Sequence, residues 1–189
     1  MIVNSSKADV ITHACLALEA GSVDAAKKII RASFPFAQYV EKTRLNEVAQ
    51  LNIFRRDGFV DRYSGNKVFC PPVLSVLSEV LPEEFPCHKS WKYSETHQAY
   101  QIFWASVDKI VPAASSDDER NLVTTSYSNK LAKAGAQLKD IGWRLLTLEE
   151  IAGERWDGMT GWFINYVQEH QNLLKDSTLS KWYKILHNY

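Results

Sequence analysis

Apolar residues recur every three or four positions through the first 57 residues, a helical period that breaks at identifiable stops. Lys7 to Ala20 places Val10, Ile11, Ala14, Leu16 and Leu18 close to that spacing, and Gly21 is a natural terminator. Ser22 suits the cap of a second helix through Ala25, Ala26, Ile29 and Ile30. Phe34-Pro35 ends it, because the residue before a proline is pushed out of the helical region. A third helix is predicted from Thr43 to Arg56, with Leu45, Val48, Leu51 and Phe54 on one face and Asp57-Gly58 at its close.

The period then changes. Phe59 to Phe69 reads as a hairpin turning at Ser64-Gly65-Asn66. Pro71-Pro72 opens a short helix over Val73 to Leu81, a polar and aromatic stretch follows from Pro82 to Tyr93, and a helix is predicted from Ser94 to Trp104. Val107, Ile110 and Val111 suggest a strand ended by Pro112, and Ala113 to Arg120 a polar loop. Asn121 to Thr124 reads as a second strand, and Ser126 caps a helix reaching Gln137. Strand, loop, strand, helix is a ββα unit. Beyond the turn Trp156-Asp157-Gly158, two more helices are expected over Met159 to His170 and Ser177 to His187. The expected class is α+β and predominantly helical. It comprises an N-terminal helical region over 1–52, a core with the hairpin and the ββα unit over 53–147, and a C-terminal helical extension over 148–189 packed on that core.

Composition narrows the picture only in places. The 189 residues are 46% hydrophobic and 23% charged, ordinary values for a globular protein. Twenty-two basic residues balance twenty-two acidic ones, which argues against coating nucleic acid by bulk charge but leaves room for a local basic groove. Cys15, Cys70 and Cys87 form no C-x-x-C pair, so they predict neither a disulfide framework nor a zinc knuckle. No stretch approaches a membrane span and no targeting segment is evident, so a cytoplasmic protein with no membrane partner is expected.

The ββα stretch carries the chemistry. It reads D-K-I-V-P from Asp108, then a polar loop, N-L-V-T-T-S from Asn121, and N-K-L-A-K from Asn129. This order resembles the HNH nuclease pattern, D-H-[IV]-x-P, loop, N, then a helix carrying His or Asn with basic residues. The entry R-D-G-F-V-D-R-Y-S-G, from Arg56 to Gly65, is similar to the R-D-G-x-x-C-x-x-C-G of many HNH proteins, with Asp61 and Ser64 in the places of the two knuckle cysteines. The run from Arg56 to Tyr183, with W-D-G-M-T-G-W-F near its end, resembles a group of bacterial HNH endonucleases.

That resemblance implies a ββα-metal core and metal-dependent hydrolysis of DNA phosphodiester bonds, with double-stranded DNA as partner. One divalent cation, Mg²⁺ by the hardness of its ligands, would be held by Asp108 and Asn129; no structural zinc is expected. Asn121 would hold the loop, and Lys130 and Lys133 would contact phosphate. The departure is at Lys109, which stands where the family keeps its general-base histidine. A lysine at its reference pKa of about 10.4 is neutral in roughly one molecule in 2,500 at pH 7. Loss of a general base typically costs about 10²–10⁴ in rate.

Each residue also has a plain reading. Asp108 suits a turn cap, Asn121 a turn, Asn129 an exposed helix position, and Lys109, Lys130 and Lys133 solvated faces. His88 and His97 flank the motif as substitute bases or as surface residues, and Trp91 and Tyr93 as base-stacking rings or as packing. Three readings stay open. They are an endonuclease weakened by Lys109, a degenerate member that binds DNA or a protein partner without cutting, and an adaptor or homodimer contacting its partner through the N-terminal helices.

Overall fold

The computed structural model describes residues 7–33, 45–112, 118–153 and 156–188. The chain divides into two compact units, residues 1–42 and 43–189. The first contains α1 (Lys7–Glu19) and α2 (Val23–Ser33), packed together as a helical pair around the turn at Gly21. Ile11, Leu16, Leu18 and Val23 are exposed within this unit. The expected break at Phe34-Pro35 lies outside the described residues, as does most of the loop after Pro112.

The second unit begins its described part with α3 (Glu47–Arg56), whose N-cap Asn46 accepts the Ala49 N–H at 2.9 Å. The boundary expected at residue 52 thus falls inside a helix that belongs wholly to the second unit. After it come α4 (Pro71–Val80), α5 (Ala99–Phe103), β1 (Ala105–Lys109), β2 (Leu122–Ser126) and α6 (Tyr127–Lys133), then α7 (Leu148–Ile151), α8 (Thr160–Glu169) and α9 (Ser177–Asn188). The architecture is α+β, helices around a small two-stranded antiparallel sheet. Its register sets Ala105 opposite Ser126 and Lys109 opposite Leu122.

One core joins these elements. Leu51 and Phe54 of α3, Val73 and Val76 of α4, Ala105 of β1, Phe163 and Val167 of α8, and Leu179, Trp182 and Leu186 of α9 are all buried in it. The C-terminal helices are therefore part of the same body as the sheet, because α8 and α9 bury one apolar face each against α3 and α4. Gly158 closes the joint before α8: its φ is +66°, and a Cβ there would lie 2.3 Å from the Phe59 ring.

Three expectations are corrected. The hairpin over Phe59 to Phe69 reduces to a single antiparallel bridge, Val60 with Lys67. The reason is Asp61, whose carboxylate takes the N–H groups of Tyr63 and Ser64 and bends the chain before a strand can extend. The helix expected from Ser94 to Trp104 is a 3₁₀ turn over Tyr93–Glu95 followed by the short α5. The helix expected to reach Gln137 stops at Lys133, because Ala134 and Gly135 are left-handed, with φ of 45° and 81°.

Candidate nucleic-acid site on the strand pair and helix

Residues 56–63, β1, β2 and α6 meet around three acidic side chains. Asp57, at the end of α3, is fully buried and accepts from Arg56 Nε at 2.9 Å, from Arg62 at 3.1 Å and from the Thr124 N–H at 2.7 Å. Arg56 also donates to the carbonyls of Glu119 (2.8 Å) and Leu122 (2.6 Å), and Arg62 to that of Leu146 (2.8 Å). This cluster fastens the turn after α3 to the start of β2, and the Arg62 N–H bonds the Thr124 carbonyl at 2.9 Å.

Asp61 is also fully buried. Its Oδ1 accepts the N–H groups of Tyr63 (2.8 Å) and Ser64 (3.2 Å), and its Oδ2 accepts from Thr125 Oγ1 (3.1 Å), the Ser126 N–H (2.7 Å) and Asn129 Nδ2 (2.8 Å). Ser126 caps α6, as expected, by accepting the Asn129 N–H at 3.2 Å. The places that resemble knuckle cysteines therefore hold one carboxylate saturated by neutral donors.

Asp108 points from β1 toward α6. Its Oδ2 accepts the Tyr63 hydroxyl at 2.8 Å and lies 3.0 Å from Lys133 Nζ, which also donates to the Lys109 carbonyl at 2.6 Å. The Lys133 side chain is 1% exposed and that of Asp108 14%. Burial, and then the Asp108 charge, push the Tyr63 phenol pKa far up, so its proton stays on the oxygen that donates. Lys133 was expected to contact phosphate. It is instead sealed between strand and helix, since α6 ends at that residue and directs the side chain back onto β1. Lys130, one turn earlier, is exposed, and Lys109 is half-buried.

Asn121 sits at the mouth of the loop between the strands. Its Oδ1 accepts the Val111 N–H at 2.9 Å, its Nδ2 donates to the Val111 carbonyl at 3.1 Å, and its own carbonyl accepts the Ile110 N–H at 2.8 Å. These three bonds tie the two sides of the loop together. Asn129 and Asp108 are brought to the same turn, residues 61–63, the first through Asp61 and the second through Tyr63.

The residues as arranged do not fit a divalent cation. Asp108 is already paired with a buried ammonium, so a divalent cation at that carboxylate would have to displace Lys133 or share its single negative charge with it. Among the described residues, no group of three or more His, Cys, Asp or Glu is placed to hold a metal ion. His88 pairs with Glu95 at 3.7 Å, and His97 stacks on Phe85 at 4.3 Å. Trp91 packs edge-on against Tyr100 and Trp104, and Tyr93 is 79% exposed. A cavity of about 560 Å³ lies beside this segment, lined by Ser78, Cys87, His88, Trp91, Tyr100 and Trp104 among others.

Of the groups that build the site, Asp57, Arg62 and Tyr63 were not assigned a role from the sequence. The usable signal for Asp57 and Asp61 was an acid on each side of the apolar pair Phe59-Val60 in the R-D-G-F-V-D run, Asp61 directly and Asp57 across Gly58. Tyr63 had none. No family model matches the chain, and no curated protein or solved structure matches it. Among the described residues no helix is long and apolar enough to cross a membrane.

Proposed function

We propose that this chain is an HNH-like protein that engages DNA through its strand pair and α6 without cutting it. One observation carries this reading: the Asp108 carboxylate is paired with the Lys133 ammonium at 3.0 Å, beside a lysine where the resembling family has its base. A carboxylate held by an ammonium cannot give the full charge of a metal ligand, and a lysine is far less available than a histidine to take a proton from water near neutral pH. The exposed Lys130 supplies positive charge for phosphate. Fluorescence anisotropy with a labelled duplex, repeated across salt concentrations, tests the reading. Binding should weaken as salt rises, and Lys130→Ala should lower the slope of log K against log salt by about 1. Affinity indifferent to both salt and Lys130 would remove DNA as the partner.

The second reading is a slow metal-dependent endonuclease with Mg²⁺ as the cofactor, which requires the Lys133 ammonium to leave Asp108 before a cation can bind there. It is favoured by the bonds of Asn121 across the loop mouth and by the approach of Asp108 and Asn129 to one turn. It predicts nicking of supercoiled plasmid that stops with chelator and in Asp108→Ala. It also predicts that Lys109→His raises the rate by about 10²-fold or more. A Lys109→His protein that is folded and still does not nick would end this reading.

A further inference from the structure

We infer that the Lys133 ammonium is the built-in cation of this site, standing in the place the resemblance gives to a divalent metal ion. The inference rests on the HNH-like reading of the strand pair and α6, and goes beyond it by naming what occupies the centre. The ammonium contacts one carboxylate oxygen, Asp108 Oδ2 at 3.0 Å, and one main-chain oxygen, the Lys109 carbonyl at 2.6 Å. A hard cation recruits the same kind of oxygen donors. Unlike a solvated helix lysine, this one is almost wholly removed from water. Burying an ammonium carries a desolvation cost that only a close anionic partner offsets, so the Lys133 position is specified by Asp108 rather than incidental to it. The tight end of α6 at Ala134, with φ of 45°, sets the last helical residue against the end of β1. It follows that the charge at the centre is covalently part of the chain and that no chelator can remove it. The protein should be indifferent to divalent metals until that charge is taken away.

Thermal unfolding of the full chain in about 1 mM Mn²⁺ and in chelator tests this, with Mn²⁺ alone as the probe. For the unsubstituted protein the two melting temperatures should agree within about 1 °C. Lys133→Gln frees the Asp108 carboxylate and adds an amide oxygen. Its melting temperature should rise by about 3–5 °C with Mn²⁺, and that gain should vanish in Asp108→Asn/Lys133→Gln. A folded Lys133→Gln protein with no Mn²⁺ response would overturn the inference. So would an unsubstituted protein whose Mn²⁺ response is lost in Asp108→Asn. If Lys133→Gln does not fold, the electron paramagnetic resonance signal of free Mn²⁺ over the unsubstituted protein decides alone. An unchanged signal supports the inference, and uptake that depends on Asp108 sinks it. None of these readouts uses DNA. Loss of duplex binding with metal indifference intact would fell only the DNA reading. An Asp108-dependent metal response would fell this inference, with the claim that the site does not cut, while leaving salt-dependent duplex binding untouched.

Discussion

Asp61 and Asp108 lie on either side of Tyr63 and are stabilised in opposite ways. Asp61 is wholly buried and takes five hydrogen bonds, all from neutral donors on residues 63, 64, 125, 126 and 129. Asp108 takes one neutral hydroxyl and one full positive charge. Neutral dipoles spread over three segments make Asp61 a junction: it turns the chain after α3 and holds the start of α6 against it. Those bonds leave it no capacity for a ligand. Asp108 depends on a single counter-charge, and a site held by one charge can be converted by one substitution. The contrast separates a carboxylate held by many neutral donors from one held chiefly by a single counter-charge.

The largest test of that division is Asp61→Ala. It strands buried donors on β2, the 61–64 turn and α6 at once, and should destabilise the second unit by about 4 kcal/mol or more, read by urea unfolding. A loss of under about 1 kcal/mol would mean that the five bonds are individually replaceable by water. Lys133→Met comes next, at about 3 kcal/mol, because it leaves Asp108 partly buried without its counter-charge. The comparison is sharpened by the cycle with Asp108→Asn. The double variant should recover more than half of that loss, as no charge is then stranded. If the two losses simply add, the pair is not coupled and the contrast with Asp61 fails. Asn129→Ala removes one of the five donors to Asp61 and should cost only about 1 kcal/mol. A much larger loss would make Asn129, rather than Asp61, the centre of the junction.

How much of this was legible follows from which physical signal each feature leaves. Helices α3, α4, α8 and α9 each bury one face in a common core, so the apolar period announced them. The order of β1, loop, β2 and α6 was readable because Pro112 and the Ser126 cap punctuate it. The hairpin was misread because period alone is blind to a side chain that competes with the ladder, and Asp61 does so for the N–H groups of Tyr63 and Ser64. Lys133 was misread for a related reason. Nothing in a pattern of polar and apolar letters distinguishes a lysine facing water from one folded onto a carboxylate 25 residues earlier. Asn121, read as the start of the second strand, stands one residue before it and bridges the loop mouth with two bonds to Val111, a local task that the nearby turn residues made visible.

A third carboxylate sharpens the contrast at its weakest end. Asp157 is exposed, yet like Asp61 it is served by neutral donors: the Met159 N–H at 2.9 Å, Thr160 Oγ1 at 3.1 Å and the Gly161 N–H at 2.9 Å. Burial alone would raise its pKa, but the Gly161 N–H, the Thr160 hydroxyl and the Met159 N–H outweigh it, and the group titrates below the usual range. A folded-state pKa lowered relative to the unfolded chain means the stabilisation is fully present above the unfolded value of about 3.9. It is lost as pH falls through the lower folded value. Water screens an exposed cap, so Asp157→Asn should cost only about 0.5 kcal/mol at pH 7. The cost should fade as the pH is taken down through and below about 3.9, which urea unfolding of the two proteins at matched pH would measure. A difference that stays constant across that range would mean the amide fails for want of geometry rather than charge. The stabilisation of Asp157, and by extension of Asp61, would then owe more to shape than to the carboxylate's ionisation.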